Sequence, residues 1–177
     1  LDFIAESPTM FHSAAAIRAR LDAAGFTYLS EGAAWEVRPG GAYYTQRNGS
    51  SVVAWRVGER VAAPGFASDA AKAADRVAGS VDVAAGSAGD SAPYHFQLTA
   101  SHSDSPCFKV KTNGELEGPA GYVRLDTEAY GGMMDYTWFD RPLSLAGRVL
   151  VREGARIESR LVALNRDVAL IPSLAIH

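Results

Sequence analysis

From Phe108 onward no stretch of the chain carries apolar residues at helical spacing; it reads as short β runs cut by Gly and Pro, namely YVRLDTEAY, LSLAGRVLVRE, RIESRLVAL and VALIPSLAIH. The texture ahead of that point is different. Residues 7–25, SPTMFHSAAAIRARLDAAG, place Met10, Ala14, Ile17, Leu21 and Ala24 along one helical face, with Ser7 as the predicted N-cap, Pro8 in the first turn and Gly25 just past the end. Asn48-Gly49 then separates two β-rich runs, about 43–47 and 51–57, the pattern of a tight hairpin. Residues 61–93 are rich in Ala, Gly and Ser and poor in large apolar side chains, so they predict an exposed insertion with at most a weak helix around Asp69–Ala78. The run YHFQLTA resumes β character and leads to His102. A helix and hairpin followed only by strands predicts a boundary shortly after that histidine, dividing the chain into 1–107 and 108–177.

Composition narrows the function by exclusion. A chain of 177 residues, 47% hydrophobic and 21% charged, is long enough to bury a sizeable core. Its net charge of -3 provides no basic stripe for nucleic acid or an anionic membrane. No apolar run approaches the roughly 18 residues of a membrane span, and no signal peptide is recognisable, so the expectation is a cytoplasmic protein. The single cysteine, Cys107, fits a reducing compartment and cannot build a zinc ribbon; it reads as a small buried hydrophobe. The chain opens on Leu1 without Met and stops at His177 inside an apolar stretch, which reads as a cut chain.

The chemistry-bearing motif lies in LTASHSDSPCFKV. His102 and Asp104, at i and i+2 in locally extended chain, project to the same side, which suits a metal ligand and a carboxylate that orients it. Against this, Ser, Asp and Pro are turn formers, and SDSP can simply close a strand. An isolated H-x-D decides nothing by itself. His12, near the helix start, and His95, in the predicted strand, read as packing or surface histidines.

Four motifs in order, FIAESPTMFH, LTASHSDSPCFKVK, EAYGGMMDYTWFDRPLSLAGRV and IPSLAIH, resemble the M18 metalloaminopeptidases, the aspartyl aminopeptidases, along the whole chain apart from the insertion. The resemblance implies an α/β zinc-exopeptidase domain, of which residues 1–107 are the N-terminal part, interrupted by an inserted all-β dimerisation domain beginning at 108. It implies two zinc ions per complete site, peptide substrates with a free N-terminus that is Asp or Glu, and a homo-oligomer, a dodecamer built from dimers. His102 takes the place of a zinc ligand and Asp104 that of its orienting partner. His177 matches a histidine that the inserted domain contributes to a neighbouring subunit's site, either as a donor to substrate and developing oxyanion or as a metal ligand. The remaining carboxylate ligands, the general-base glutamate and the final histidine have no counterpart in this chain, so the isolated chain is expected to be inactive. YGGMM and WFDR read as structural, with Asp140 and Arg141 as a surface pair and a methionine where the family tends to have a third glycine. The rival reading is a non-catalytic assembly or binding module derived from the same family.

Overall fold

The computed structural model describes residues 1–59 and 96–174. The predicted insertion at 61–93, His95 and His177 lie outside the described residues.

The first layer is helical. A short α1 (Asp2–Ala5) precedes α2 (Met10–Ala23). The N-cap of α2 is Thr9, not Ser7: the Thr9 hydroxyl accepts the His12 N–H at 3.4 Å and pairs with His12 Nδ1 at 2.8 Å. This register gives the cap a reciprocal partner three residues on, which a cap at Ser7 would lack because Met10 would stand there. The other end is as predicted. Gly25 is left-handed (φ 77), with its N–H on the Asp22 carbonyl and the Phe26 N–H on that of Leu21, a Schellman closure.

A three-stranded sheet packs beside α2 in the order β1 (Thr27–Tyr28), β2 (Ala42–Arg47), β3 (Ser51–Arg56). Asn48 (φ 53) and Gly49 (φ 67) turn the β2–β3 hairpin, closed by Ser50 N–H to the Arg47 carbonyl. β2 is central, and Tyr43, Tyr44 and Thr45 are buried in succession because both faces of it are covered. The Tyr44 ring lies 5.2 Å from Tyr28, and Tyr43 lies 5.9 Å from Trp55. The Tyr44 hydroxyl donates to Asp22 Oδ1 at 2.6 Å, fastening the strand to the end of α2. With Ala14 these tyrosines are the buried apolar residues among those described. The sizeable core expected from composition is therefore not closed within them, since no opposing layer covers the remaining apolar side chains.

Beyond Pro106 the chain makes two antiparallel hairpins, β4 (Cys107–Glu117) with β5 (Val123–Tyr130), and β6 (Ala146–Glu153) with β7 (Arg156–Ala163). The first carries an irregularity between Val110 and Glu115. A 3-10 helix, Asp135–Trp138, lies between the hairpins. Two predicted strands are not formed. Residues 96–100 have no ladder partner, and 168–174 make only isolated bridges, Phe139 with Ile171 and Leu143 with Ala169. β propensity needs a partner backbone to become a strand, and these runs have none over their length. Arg148 of β6 donates to the Asn48 carbonyl (2.8 Å) and Oδ1 (3.2 Å) and lies 4.1 Å over the Phe11 ring, which seats the second hairpin against α2 and the first turn.

Candidate metal centre

Residues 96–105 reach β4 as irregular chain, and His102 and Asp104 lie on this approach. Their side chains meet: His102 Nδ1 is 2.9 Å from Asp104 Oδ1. In the tautomer that donates from Nδ1 to this carboxylate, Nε2 is the nitrogen left with a lone pair for a ligand. The two partners differ in environment. The His102 side chain is 87% exposed, whereas that of Asp104 is 19% exposed. The carboxylate is thus the anchored member and the imidazole the presented one, an arrangement suited to holding zinc through Nε2.

Two further contacts fix the approach. Ser13, fully buried on α2, donates its hydroxyl to the Ser103 carbonyl at 2.9 Å. On the other flank, Gly131 is left-handed (φ 89) and sits so close to Pro106 that an added Cβ would come within 3.3 Å of the proline Cβ. Gly131, the first glycine of YGGMM, is favoured by its left-handed backbone, and Pro106 leaves little room for a Cβ there. Cys107 pairs with Tyr130 across the hairpin, and its thiol is pushed up by burial first and then by the Asp104 carboxylate. It is a packed thiol rather than a thiolate ligand. An open cleft of about 600 Å³ adjoins the Asp104 side, lined by Ser105, Pro106, Met133, Met134 and Trp138. Trp138 is held edge-on by Phe108 at 5.4 Å.

Among the described residues no three His, Cys, Asp or Glu side chains are grouped to hold a metal. The structure brings together His102 and Asp104 only, and the position of His177 lies outside the described residues. His12 is engaged in capping, and burial lowers its imidazole pKa. Asp140 does not pair with Arg141. It is left-handed (φ 54) and holds Ser173, whose N–H donates to Oδ1 at 2.9 Å and whose hydroxyl donates to Oδ2. Arg141 turns instead to the Thr137 carbonyl. Sequence reasoning missed the Asp140–Ser173 clasp and the Ser13 contact. The only signal for Ser13 was a hydroxyl on the apolar face of α2.

The His102–Asp104 contact by itself defines no class, and the comparisons supply it. The family described as Aminopeptidase I zinc metalloprotease (M18) matches residues 3–72 and 80–177. The chain belongs to this M18 family of aminopeptidases, and the family is one of zinc metalloproteases. A probable M18 family aminopeptidase 2 of Pseudomonas aeruginosa PAO1 is 41% identical over 179 residues, and one of Ectopseudomonas mendocina is 38% identical over 177 residues. Both alignments cover all of this chain and 34% of the relative, so the chain spans about a third of the length of these relatives. Among solved structures, the Ape4 and Nbr1 complex contains a chain superposing with a TM-score of 0.73 at 30% identity, over 99% of this chain and 28% of that one. The Saccharomyces cerevisiae mApe1 dodecamer gives 0.66 at 27% identity, over 98% of this chain and 34% of that one.

Proposed function

We propose that this chain forms part of a zinc aminopeptidase that removes N-terminal Asp or Glu from peptides, with His102 a metal ligand and Asp104 its orienting carboxylate. The observation that carries the reading is the 2.9 Å contact between His102 Nδ1 and Asp104 Oδ1, on a chain that belongs to a zinc metalloprotease family. Two zinc ions per complete site would supply Lewis acidity to the first peptide carbonyl and lower the pKa of the attacking water. This chain's contribution is geometric. Asp104 accepts the Nδ1 hydrogen, holds the ring in one tautomer and raises the basicity of Nε2. His177 supplies a donor near the developing negative charge in a neighbouring subunit's site.

Residues 1–107 are read as part of the catalytic α/β domain and residues 108–177 as the start of an inserted β domain. That division is supported by the confinement of α-helix to the first part and of the two separate hairpins to the second, among the described residues. A homo-oligomer is the proposed assembly, with a dodecamer built from dimers as its form. It is supported by the dodecameric state named for the yeast relative. Exposed apolar side chains on both faces of β6 and β7, such as Val149, Leu150 and Ile157, add to this, because successive strand residues face opposite sides and each side leaves apolar surface open. The test is to strip metal from the full-length gene product, restore zinc, and assay peptides beginning with Asp, Glu or Leu. Zinc-dependent release favouring the acidic residues is expected. Zinc-loaded protein with no release from any of them would leave the assembly-module reading in its place.

A further inference from the structure

The segment that presents His102 has little to hold it. Residues 96–105 form no ladder, and Phe96 and Leu98 are exposed. Among the described residues, a single hydrogen bond ties this segment to another element, that from Ser13 Oγ to the Ser103 carbonyl at 2.9 Å. Its two ends differ in setting: Ser13 is 0% exposed, lies one residue beyond His12, and bonds its own N–H to the Thr9 carbonyl at 2.9 Å, so the donor stands buried in the capped first turn of α2. The acceptor is the residue between ligand and carboxylate. The Ser103 carbonyl is coplanar with the Asp104 N–H in one peptide unit. Clamping it restricts ψ of Ser103 and φ of Asp104 together, and these two rotations aim the Asp104 side chain at the His102 ring.

We propose that Ser13 is a positioning residue of the metal centre, holding the His102–Asp104 pair in its 2.9 Å register from the helix side; the proposal rests on the reading of His102 as a zinc ligand. A hydroxyl on the inward face of an amphipathic helix costs desolvation unless it is bonded. Here the bond goes to the residue between His102 and Asp104. Alanine is the informative replacement, since it removes one atom, keeps the neighbouring packing and favours the helix.

The experiment is zinc affinity by chelator competition in the full-length gene product, for the parent, Ser13→Ala, Asp104→Asn, the double variant and His102→Ala, with thermal unfolding of each metal-free protein as a folding control. Ser13→Ala is expected to weaken zinc about tenfold, the lower end of the range for groups that orient a ligand. In the Asp104→Asn background the same change is expected to cost much less, because the carboxylate it aims is gone. A loss from Ser13→Ala that multiplies in full with that from Asp104→Asn, or no loss at all, would overturn the proposal. His102→Ala reads the underlying assignment separately: if it leaves zinc affinity at the parent value, the ligand itself is misassigned and Ser13 has nothing to position.

Discussion

Replacing Asp104 by Asn tests the site at the atom where its geometry is clearest. The carboxylate lies 2.9 Å from His102 Nδ1 and its side chain is 19% exposed, so solvent screens it less than it would a free surface charge. Asparagine keeps an acceptor oxygen at nearly the same place and removes the charge. A hydrogen bond to a charged group contributes about 1.5–3 kcal/mol net and a neutral one about 0.5–1.5, so the exchange costs about 1–1.5 kcal/mol, or roughly tenfold in zinc affinity. Alanine removes the acceptor as well and frees the ring to change tautomer, which takes the loss toward the hundredfold end of the range for such partners. His102→Ala removes the ligand and is expected to exceed both. Chelator competition on the full-length gene product measures all three on one scale, and peptidase activity at saturating zinc separates weakened binding from misplaced zinc. If Asp104→Ala bound zinc as tightly as the parent, the orienting role of Asp104 would fall, while His102→Ala decides the ligand assignment itself.

The polypeptide Leu1–His177 by itself is expected to bind zinc only weakly, since catalytic sites draw on about three protein ligands and the described residues group no three; titration calorimetry showing tight stoichiometric binding would contradict this. Tyr44→Phe removes the 2.6 Å bond to Asp22 from a fully buried ring whose phenol pKa is raised, first by burial. Because Asp22 is exposed and can rehydrate, the cost in a urea melt is about 1–1.5 kcal/mol, whereas Tyr44→Ala costs about 3–5. The two hydrogen bonds from Ser173 hold the Asp140 carboxyl below its ordinary pKa, so the clasp is fully present above the unfolded carboxylate value of about 3.9 and is lost as pH falls through the lower folded one. Faster exchange of the Ser173 amide at acid pH, corrected for the intrinsic rate, checks the direction, and Asp140→Ala abolishes the dependence. In the full-length protein, His177→Ala is expected to keep its zinc and lose about 10² to 10³ in rate, and mixed oligomers with His102→Ala to regain a measurable fraction. Mixed oligomers confirmed by mass without regained activity would confine His177 to its own subunit or to no role.

What was legible in the residues was what is local. Gly25 ends α2 and Asn48-Gly49 turns the hairpin because each depends on left-handed backbone within a few positions. His102 and Asp104 meet for the same reason, being two residues apart. Ser7-Pro8 satisfies the general N-cap pattern, yet the cap sits two residues on because Thr9 has a particular partner, His12. Non-local partners were not legible. Adjacency suggests a pair between Asp140 and Arg141, but the bonds of Asp140 go to Ser173, 33 residues away. Ser13 finds Ser103 across 90 residues, and no spacing rule reaches that far. Residues 96–100 have strand composition without strand structure, because the missing ingredient is another backbone rather than another side chain.

Two independent features of the molecule call for the same remedy. An imidazole 87% exposed holds a divalent ion weakly, since every ligand it does not bring must come from water. Hairpins with Leu150 and Ile157 each more than 60% exposed leave apolar surface that a folded protein in water tends to cover. The first deficit is one of ligands and the second one of area, and further polypeptide surface placed against 96–105 and against the β6–β7 hairpin would meet both. α2 is capped at both ends and β2 is buried at Tyr43, Tyr44 and Thr45, so the Ser13 hydroxyl has a packed seat. On the proposed reading Ser13 holds the His102–Asp104 pair in register, and zinc would select an arrangement the protein has already made rather than impose one.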